Sequence, residues 1–521
     1  MDKLKCFLFS LLLSLCVCDG FKILAVFPMP SKSHGILGDN MIKHLLNAGH
    51  EVTYITPFIS KNVNPNLHIV DVSANSGILN ETTLDIKMIM DGTMDFKNED
   101  MLFEMMSGMA AKTLGNPNVQ KMMKDPKQKF DVIIGEYMFA DLYSVLPAVF
   151  QCPFIWFSTI EPHWMILTLV DAPTNPSYIG DYLHARLAPY SFADRVKELW
   201  IQVKGLVHKN YRYHNKEEEV YLNLVAPIIR DQGRPVPSYN ELKYNASMVL
   251  GNTQVVIGEA IPLPQSYKHI GGYHIDDEVK PLPEDLKKIM DSSKNGVIYF
   301  SMGSNLKSKD LPLDLKSGLL KVLGGLKQTV IWKFEEVLPD MPKNVHIVQW
   351  APQQSILAHQ NLVLFITHGG LLSITEAIHF GKPLITVPVF ADQFLNAKRA
   401  EQKGFAKKVD LSYNLHEDLK VALDEVLNHY PKYAAKAKEL SNALHDRPMK
   451  PKEALNYWVQ HVVRTRGAPH LRSTALRIPL YQRVYLDLLA VVLLAIVVLM
   501  LVIKRILSMM TAKKSKKEKS N

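Results

Sequence analysis

Residues 350–393 read WAPQQSILAHQNLVLFITHGGLLSITEAIHFGKPLITVPVFADQ, and this stretch decides the fold. At its centre, Leu362–Thr367 is an apolar run of strand length. His368-Gly369-Gly370 follows, then Leu371–His379 with apolar residues at helical spacing, and Gly381 as a stop. A strand that feeds a glycine turn and a helix start gathers free backbone N–H groups and a positive dipole end at one point, which makes an anion site. Gly369 and Gly370 let an anion approach the backbone, and His368 adds a donor beside them. Outward from this unit, strand patterns recur at 296–300, 329–332, 345–349 and 383–387, with helical patterns between them. An earlier series lies at 21–28, 51–57, 130–135 and 153–157, with a helix running from just after His34 to Ala48. Strands alternating with helices predict an α/β chain with two parallel sheets covered on both faces.

The whole segment resembles the signature of the UDP-glycosyltransferases. Trp350 opens it, Asp392-Gln393 closes it, and its HGGLLS core is similar to insect members. The resemblance implies a UDP-sugar co-substrate, with Trp350 stacked on uracil and Gln353 hydrogen-bonding beside it. It places His368 and Ser373 on the diphosphate, Glu376 on the ribose hydroxyls, and Asp392 and Gln393 on the sugar. It also implies the GT-B architecture, in which two doubly wound, Rossmann-like domains face a cleft. Plant members carry Trp-Asn where this chain has Leu371-Leu372, so contacts of those polar groups are absent here or supplied elsewhere. Read alone, Ser373-x-x-Glu376 is also a capping-box pattern, and Trp350 would serve as a core aromatic. Beside a phosphate-binding turn, the ligand roles are the stronger reading.

The first strand pattern leads into Ser31-Lys32-Ser33-His34-Gly35, at the strand end where ligands sit in such sheets. By resemblance His34 is the general base that deprotonates the acceptor, and it needs a carboxylate to orient it. Vertebrate members place an Asp after the strand matching 130–135. Here Glu136 stands there, one methylene longer, with Asp141 as the fallback partner. The loop Ser301-Met302-Gly303-Ser304 ends another strand, and Gly303 and Ser304 are expected at the diphosphate. The implied reaction is inverting transfer of a hexose, glucose first, to a hydroxyl of a small lipophilic acceptor, giving a β-glycoside. Glucuronosyl transfer, a membrane-lipid acceptor and a non-catalytic nucleotide-sugar-binding protein stay open as alternatives. The chain has no Asp-x-Asp pair, HExxH or cysteine cluster, so no metal and no resident cofactor are expected.

Nine of the 22 methionines lie between Met88 and Met123, which suits either helix core or a wall that repacks around apolar ligands. The aromatic run 178–213 is a candidate for pocket or membrane contact. Lysines at 3 and 5 and an apolar run over 7–17 mark residues 1–20 as a secretory signal peptide. Residues 21–275 are then expected to form an acceptor domain, with an acidic, proline-bearing linker at 276–286. Residues 287–478 are expected to form the donor domain with return helices, of which 451–476 crosses back to the first.

Residues 488–503 are continuously apolar, about 24 Å of helix, and 484–503 is expected to span a membrane. The tail 504–521 has seven Lys/Arg against one Glu, a net of +6 out of the chain's +9, so the basic balance argues for no nucleic-acid partner. With Lys517 and Lys519 resembling a dilysine retrieval signal, a type I endoplasmic-reticulum protein is expected, its catalytic domains luminal and its tail cytosolic. Asn80 and Asn245 head N-glycosylation sequons, and homo-oligomerisation stays open. Once the signal peptide leaves, only Cys152 remains, so no intramolecular disulfide can form.

Overall fold

The computed structural model describes residues 20–59, 64–77, 86–93, 99–303 and 310–518. The chain divides into two compact units, residues 1–472 and 473–521. The larger unit holds two sheets. The first contains β1 (Lys22–Val26), β2 (Glu51–Thr56), β3 (Leu67–Asp71), β4 (Val132–Tyr137), β5 (Phe154–Ser158), β6 (Met248–Gly251) and β7 (Tyr267–His269), in the order β3-β2-β1-β4-β5-β6-β7. The second contains β8 (Val297–Ser301), β9 (Thr329–Lys333), β10 (Val345–Val348), β11 (Leu362–Thr367), β12 (Leu384–Thr386) and β13 (Ala406–Lys408), in the order β10-β9-β8-β11-β12-β13. Among the described residues every strand pairing is parallel.

The helices that matter below are α1 (Lys32–Asn47), α2 (Glu99–Gly115), α3 (Phe192–Val207), α4 (Gln353–Ala358), α5 (Leu371–His379), α6 (Gln393–Gln402) and α7 (Pro451–Arg464). Central strands are apolar on both faces because helices cover both. Leu24, Val26 and Ile133 pack toward α2, while Ile23, Ala25 and Ile134 pack with Leu37 and Met41 of α1 and with Leu455 and Val459 of α7. Thus α7, although it follows the second sheet in sequence, completes the core of the first.

In each sheet the strand order reverses between two neighbours, β1 and β4 in one and β8 and β11 in the other. Those reversals open crevices at the carboxyl ends of the strands, and the site residues lie there. Three local expectations change. Helix α1 starts at Lys32, so His34 stands in its first turn rather than ahead of it. Strand β4 continues to Tyr137, which puts Glu136 inside the strand. The expected linker 276–286 runs into a helix that begins at Glu284, and its start is paired, Asp276 with Lys43 at 2.6 Å and Asp277 with Lys450 at 3.2 Å and with Lys452.

The smaller unit contains α8 (Leu486–Glu518), whose Leu486–Ala512 portion is long and apolar enough to cross a membrane, with mean hydropathy 3.3 over its most apolar 18 residues. The proposed signal peptide through residue 19, Asn80, Ser304 and Lys519 lie outside the described residues.

Candidate active site

His34 stands in the first turn of α1, just beyond β1, and Glu136 lies in the adjacent strand β4, so the switch between β1 and β4 brings them together. His34 Nδ1 donates to Glu136 Oε1 at 2.5 Å, which leaves Nε2 as the ring's proton acceptor. Glu136 is 1% exposed, and its Oε2 has no hydrogen-bond partner among the described residues. Asp141 is corrected as an alternative. It is buried against Lys209 at 2.9 Å and Lys243 at 3.1 Å. Burial opposes its ionisation, but the two lysines overcome it and hold the carboxyl below the usual range. Glu136 also lines a small cavity with Met29, Met106, Met109, Met138 and Tyr143. Two of these methionines belong to the methionine-rich stretch singled out in the sequence, and both lie on α2.

The second sheet's switch gathers the other set. His368 follows β11 and Gly303 follows β8, and the two glycines beside the imidazole make room for it. A Cβ at Gly303 would lie 2.6 Å from His368 Cε1, and one at Gly370 would lie 2.6 Å from His368 Nε2. Gly370 caps α5, with Gly369 before it at φ +80°. Burial, with help from Lys333, pulls the His368 imidazole down to about 4, so it stands neutral at pH 7. Ser373 is therefore not an N-cap; it lies in the first turn of α5, and the capping-box alternative fails. Instead Gln353 Nε2 donates to Glu376 Oε2 at 2.6 Å and to Ser373 Oγ at 3.3 Å. Glu376 Oε1 accepts from Gln354 Nε2 at 3.1 Å and faces His274 Nε2 at 3.5 Å. The Trp350 ring is 59% exposed, with Lys32 Nζ 4.8 Å and Lys333 Nζ 5.8 Å from its centroid.

Asp392 caps the start of α6 and accepts from Asn396 Nδ2 at 2.8 Å. Burial pushes its carboxyl up; the Asn396 bond and the nearby His34 pull it partly back. That proximity ties the end of the second sheet's segment to the first sheet's histidine. Gln393 is buried, and its Oε1 accepts the Val389 N–H at 2.9 Å and the Phe390 N–H at 3.2 Å, so its carbonyl end holds the loop. Asn245 is exposed, and its Oδ1 accepts from Arg472 at 2.8 Å. Among the described residues no group of three His, Cys, Asp or Glu side chains is placed to hold a metal.

Sequence reasoning missed Lys333, which donates to Gly303 O at 2.6 Å. Its signal was a lone cation ending the apolar strand TVIWK. It also missed His274, whose place beside Glu376 depends on packing between the sheets and carries no local pattern.

The chain is similar to known glycosyltransferases in sequence and in fold. Over 99% of its length the chain is 30% identical to UDP-glucosyltransferase 2 of Dactylopius coccus, covering 98% of that protein. Over 72% it is 30% identical to UDP-glucuronosyltransferase 2A1 of Mus musculus, covering 69% of that protein. Among solved structures, the glycotransferase of kitacinnamycin aligns with TM-score 0.57 at 18% identity, over 86% of this chain and 99% of that one. A UDP-glucosyltransferase from Polygonum tinctorium capable of glucosylating indoxyl aligns with TM-score 0.53 at 15% identity, over 85% and 99%. These two share the GT-B fold. The profile described as UDP-glucoronosyl and UDP-glucosyl transferase matches residues 22–521, and the chain belongs to that family of glycosyltransferases.

Proposed function

We propose that the protein transfers glucose from UDP-glucose to a hydroxyl of a small lipophilic acceptor, with inversion at the anomeric carbon. The observation that carries this reading is the His34–Glu136 pair, whose carboxylate also borders a small methionine-lined cavity. His34 Nε2 takes the acceptor proton as the oxygen attacks the anomeric carbon from the face opposite UDP. The new C–O bond forms as the bond to the β-phosphate oxygen breaks, and the product is a β-glycoside. Glu136 stabilises the imidazolium that results. The charge growing on UDP meets the helix start at Gly369-Gly370, the His368 donor and the Lys333 ammonium, fixed groups that need no reorganisation. Trp350 offers its exposed face to uracil, Glu376 its carboxylate to the ribose, Ser373 and the loop at Gly303-Ser304 their polar atoms to the phosphates. Asp392 and the Gln393 amide take the sugar hydroxyls.

The donor sugar is tested by UDP release from membranes containing the full chain, across UDP-glucose, UDP-glucuronate and UDP-galactose, each with phenolic and steroid acceptors. Acceptor-dependent release with UDP-glucose supports the reading. Release with UDP-glucuronate alone moves the chain to the glucuronosyl branch, and UDP binding without release makes it a binding protein. The same assay with EDTA tests the metal-free mechanism, which predicts no loss.

Residues 1–20 as a cleaved signal peptide, α8 as the membrane span and the basic tail with Lys517 and Lys519 support a type I endoplasmic-reticulum protein with a luminal active site. Asn80 and Asn245 would then carry N-glycans, and glycosidase treatment should raise the mobility of the membrane-extracted protein. Detoxification of lipophilic compounds is the role such an acceptor range supports.

A further inference from the structure

Helix α3 is turned inside out. Its buried side is polar: Glu198 accepts the Asp181 backbone N–H at 2.8 Å and pairs with Arg186, and Gln202 Nε2 donates to Thr174 O at 2.8 Å. In the π-helical turn His208–Tyr213 that continues it, Lys209 pairs with Asp141 at 2.9 Å. Its outward side is apolar, carrying Phe192, Val196, Leu199, Trp200, Val203 and Val207, all exposed. Phe192 is 75% exposed and Trp200 66%, and Tyr211 extends the stripe at 71%. At about 100° per residue these positions fall in a sector of about 120° opposite Glu198, Gln202 and Lys209. A helix bordered by water puts its polar side outward, so this stripe has an apolar neighbour that the described residues do not supply.

The stripe's margins identify the neighbour. Lys197 and Lys204 are exposed along one edge and Arg195 along the other. Aromatic rings, aliphatic chains between them and long cations at the border suit a helix lying in the plane of lipid headgroups. A second copy of the chain fits less well, because a twofold contact along the stripe brings these cations together. The chain also carries α8, apolar enough to keep a bilayer within reach. We propose that α3 lies in a lipid surface, its apolar stripe among the acyl chains and Arg195, Lys197 and Lys204 at anionic headgroups. The surface then adjoins the domain that holds the acceptor pocket, and a lipophilic acceptor can arrive from the bilayer.

The test uses the full chain reconstituted in phosphatidylcholine vesicles, with and without phosphatidylserine. An environment-sensitive fluorophore is attached to Val203→Cys, or to Val421→Cys as an exposed control on another helix, against the labelled unsubstituted chain as background. Lipids brominated on the acyl chain should quench the label at 203 and not at 421, and phosphatidylserine should strengthen that quenching. Adding Leu199→Asp and Trp200→Asp should abolish it. A label at 203 that ignores brominated lipid but is reached by aqueous iodide overturns the proposal. A label shielded from both quenchers overturns it in favour of a protein partner, including a second copy. Quenching indifferent to phosphatidylserine overturns the headgroup role of the cations.

Discussion

Arg399 Nη2 donates to Glu259 Oε2 at 3.1 Å, joining α6, the helix that begins beside Asp392, to the part of the chain that carries the first sheet. Next to it the Glu161 carboxyl is buried, accepts the Thr253 hydroxyl and is pushed up by burial against the pull of Arg399. The position of Asp392 relative to His34 therefore depends in part on this guanidinium facing two carboxyl groups, beside Lys398 of the same helix, which donates to Ala185 O at 2.9 Å. Replacing Arg399 by Leu should lower kcat roughly tenfold to a hundredfold by misplacing the donor, while UDP affinity stays within about twofold. Steady-state kinetics with UDP titration checks this, and an equal loss of UDP binding would mean the helix itself has come apart.

Gly258 tests the same junction from the other side. A Cβ there would lie 2.0 Å from Glu161 Oε2. Gly258→Ala should destabilise the protein by about 1–3 kcal/mol, as overpacking does. Denaturant unfolding in detergent measures it, and a neutral result would mean that Glu161 has somewhere else to go.

Glu136→Gln keeps the shape of the pair with His34 but removes the charge. Turnover should fall roughly 10²–10⁴-fold with UDP affinity unchanged. Full turnover in this variant would mean that His34 needs no charged partner.

Trp350 is more than half exposed, so Trp350→Ala should change folding stability by less than about 0.5 kcal/mol. Stacking on a base is worth roughly 1–3 kcal/mol, so the KM for UDP-sugar should rise about tenfold or more. Comparing the thermal midpoint with donor KM separates the two effects.

His163 is buried among Tyr137, Phe139 and Tyr182, and burial with the nearby Lys209 pulls it down to about 3. The unfolded chain takes up this proton near pH 6.5, the folded chain only near 3. The unfolded state therefore binds more protons between those values, and stability falls as pH falls through that window. His163→Phe should remove the slope. Relative to the unsubstituted protein it should gain about 2–3 kcal/mol between pH 7 and 4.5, read from denaturant unfolding at each pH. A gain independent of pH would point to packing alone.

Much of the second sheet was legible because its central strands are continuous apolar runs between glycine turns, and Leu362–Thr367 has the same bounds in sequence and structure. The strands that escaped are short, and most lie at the margins. β3 and β13 are edge strands carrying His, Asp or Lys, β7 is a three-residue edge strand, and β6 has four residues, too few to show a period.

For the site, sequence spacing could place His34 and Glu136 at strand ends and favour Glu136 as the partner, but it could not remove Asp141 as the fallback. That choice rests on Lys209 and Lys243, which lie 68 and 102 residues beyond Asp141 and reach it only through packing. Lys333, His274 and Arg399 were illegible for the same reason: each acts on a partner from a distant segment.

The residues around the methionine-lined pocket all come from positions 28–143, whereas the groups gathered for the nucleotide all come from 303–393. Substitutions that reshape the first group leave the second untouched, provided the Arg399 junction holds the halves in register. On the proposed function, acceptor choice and donor handling are then separable traits in one polypeptide, and chimeras exchanged between the sheets should inherit one from each parent.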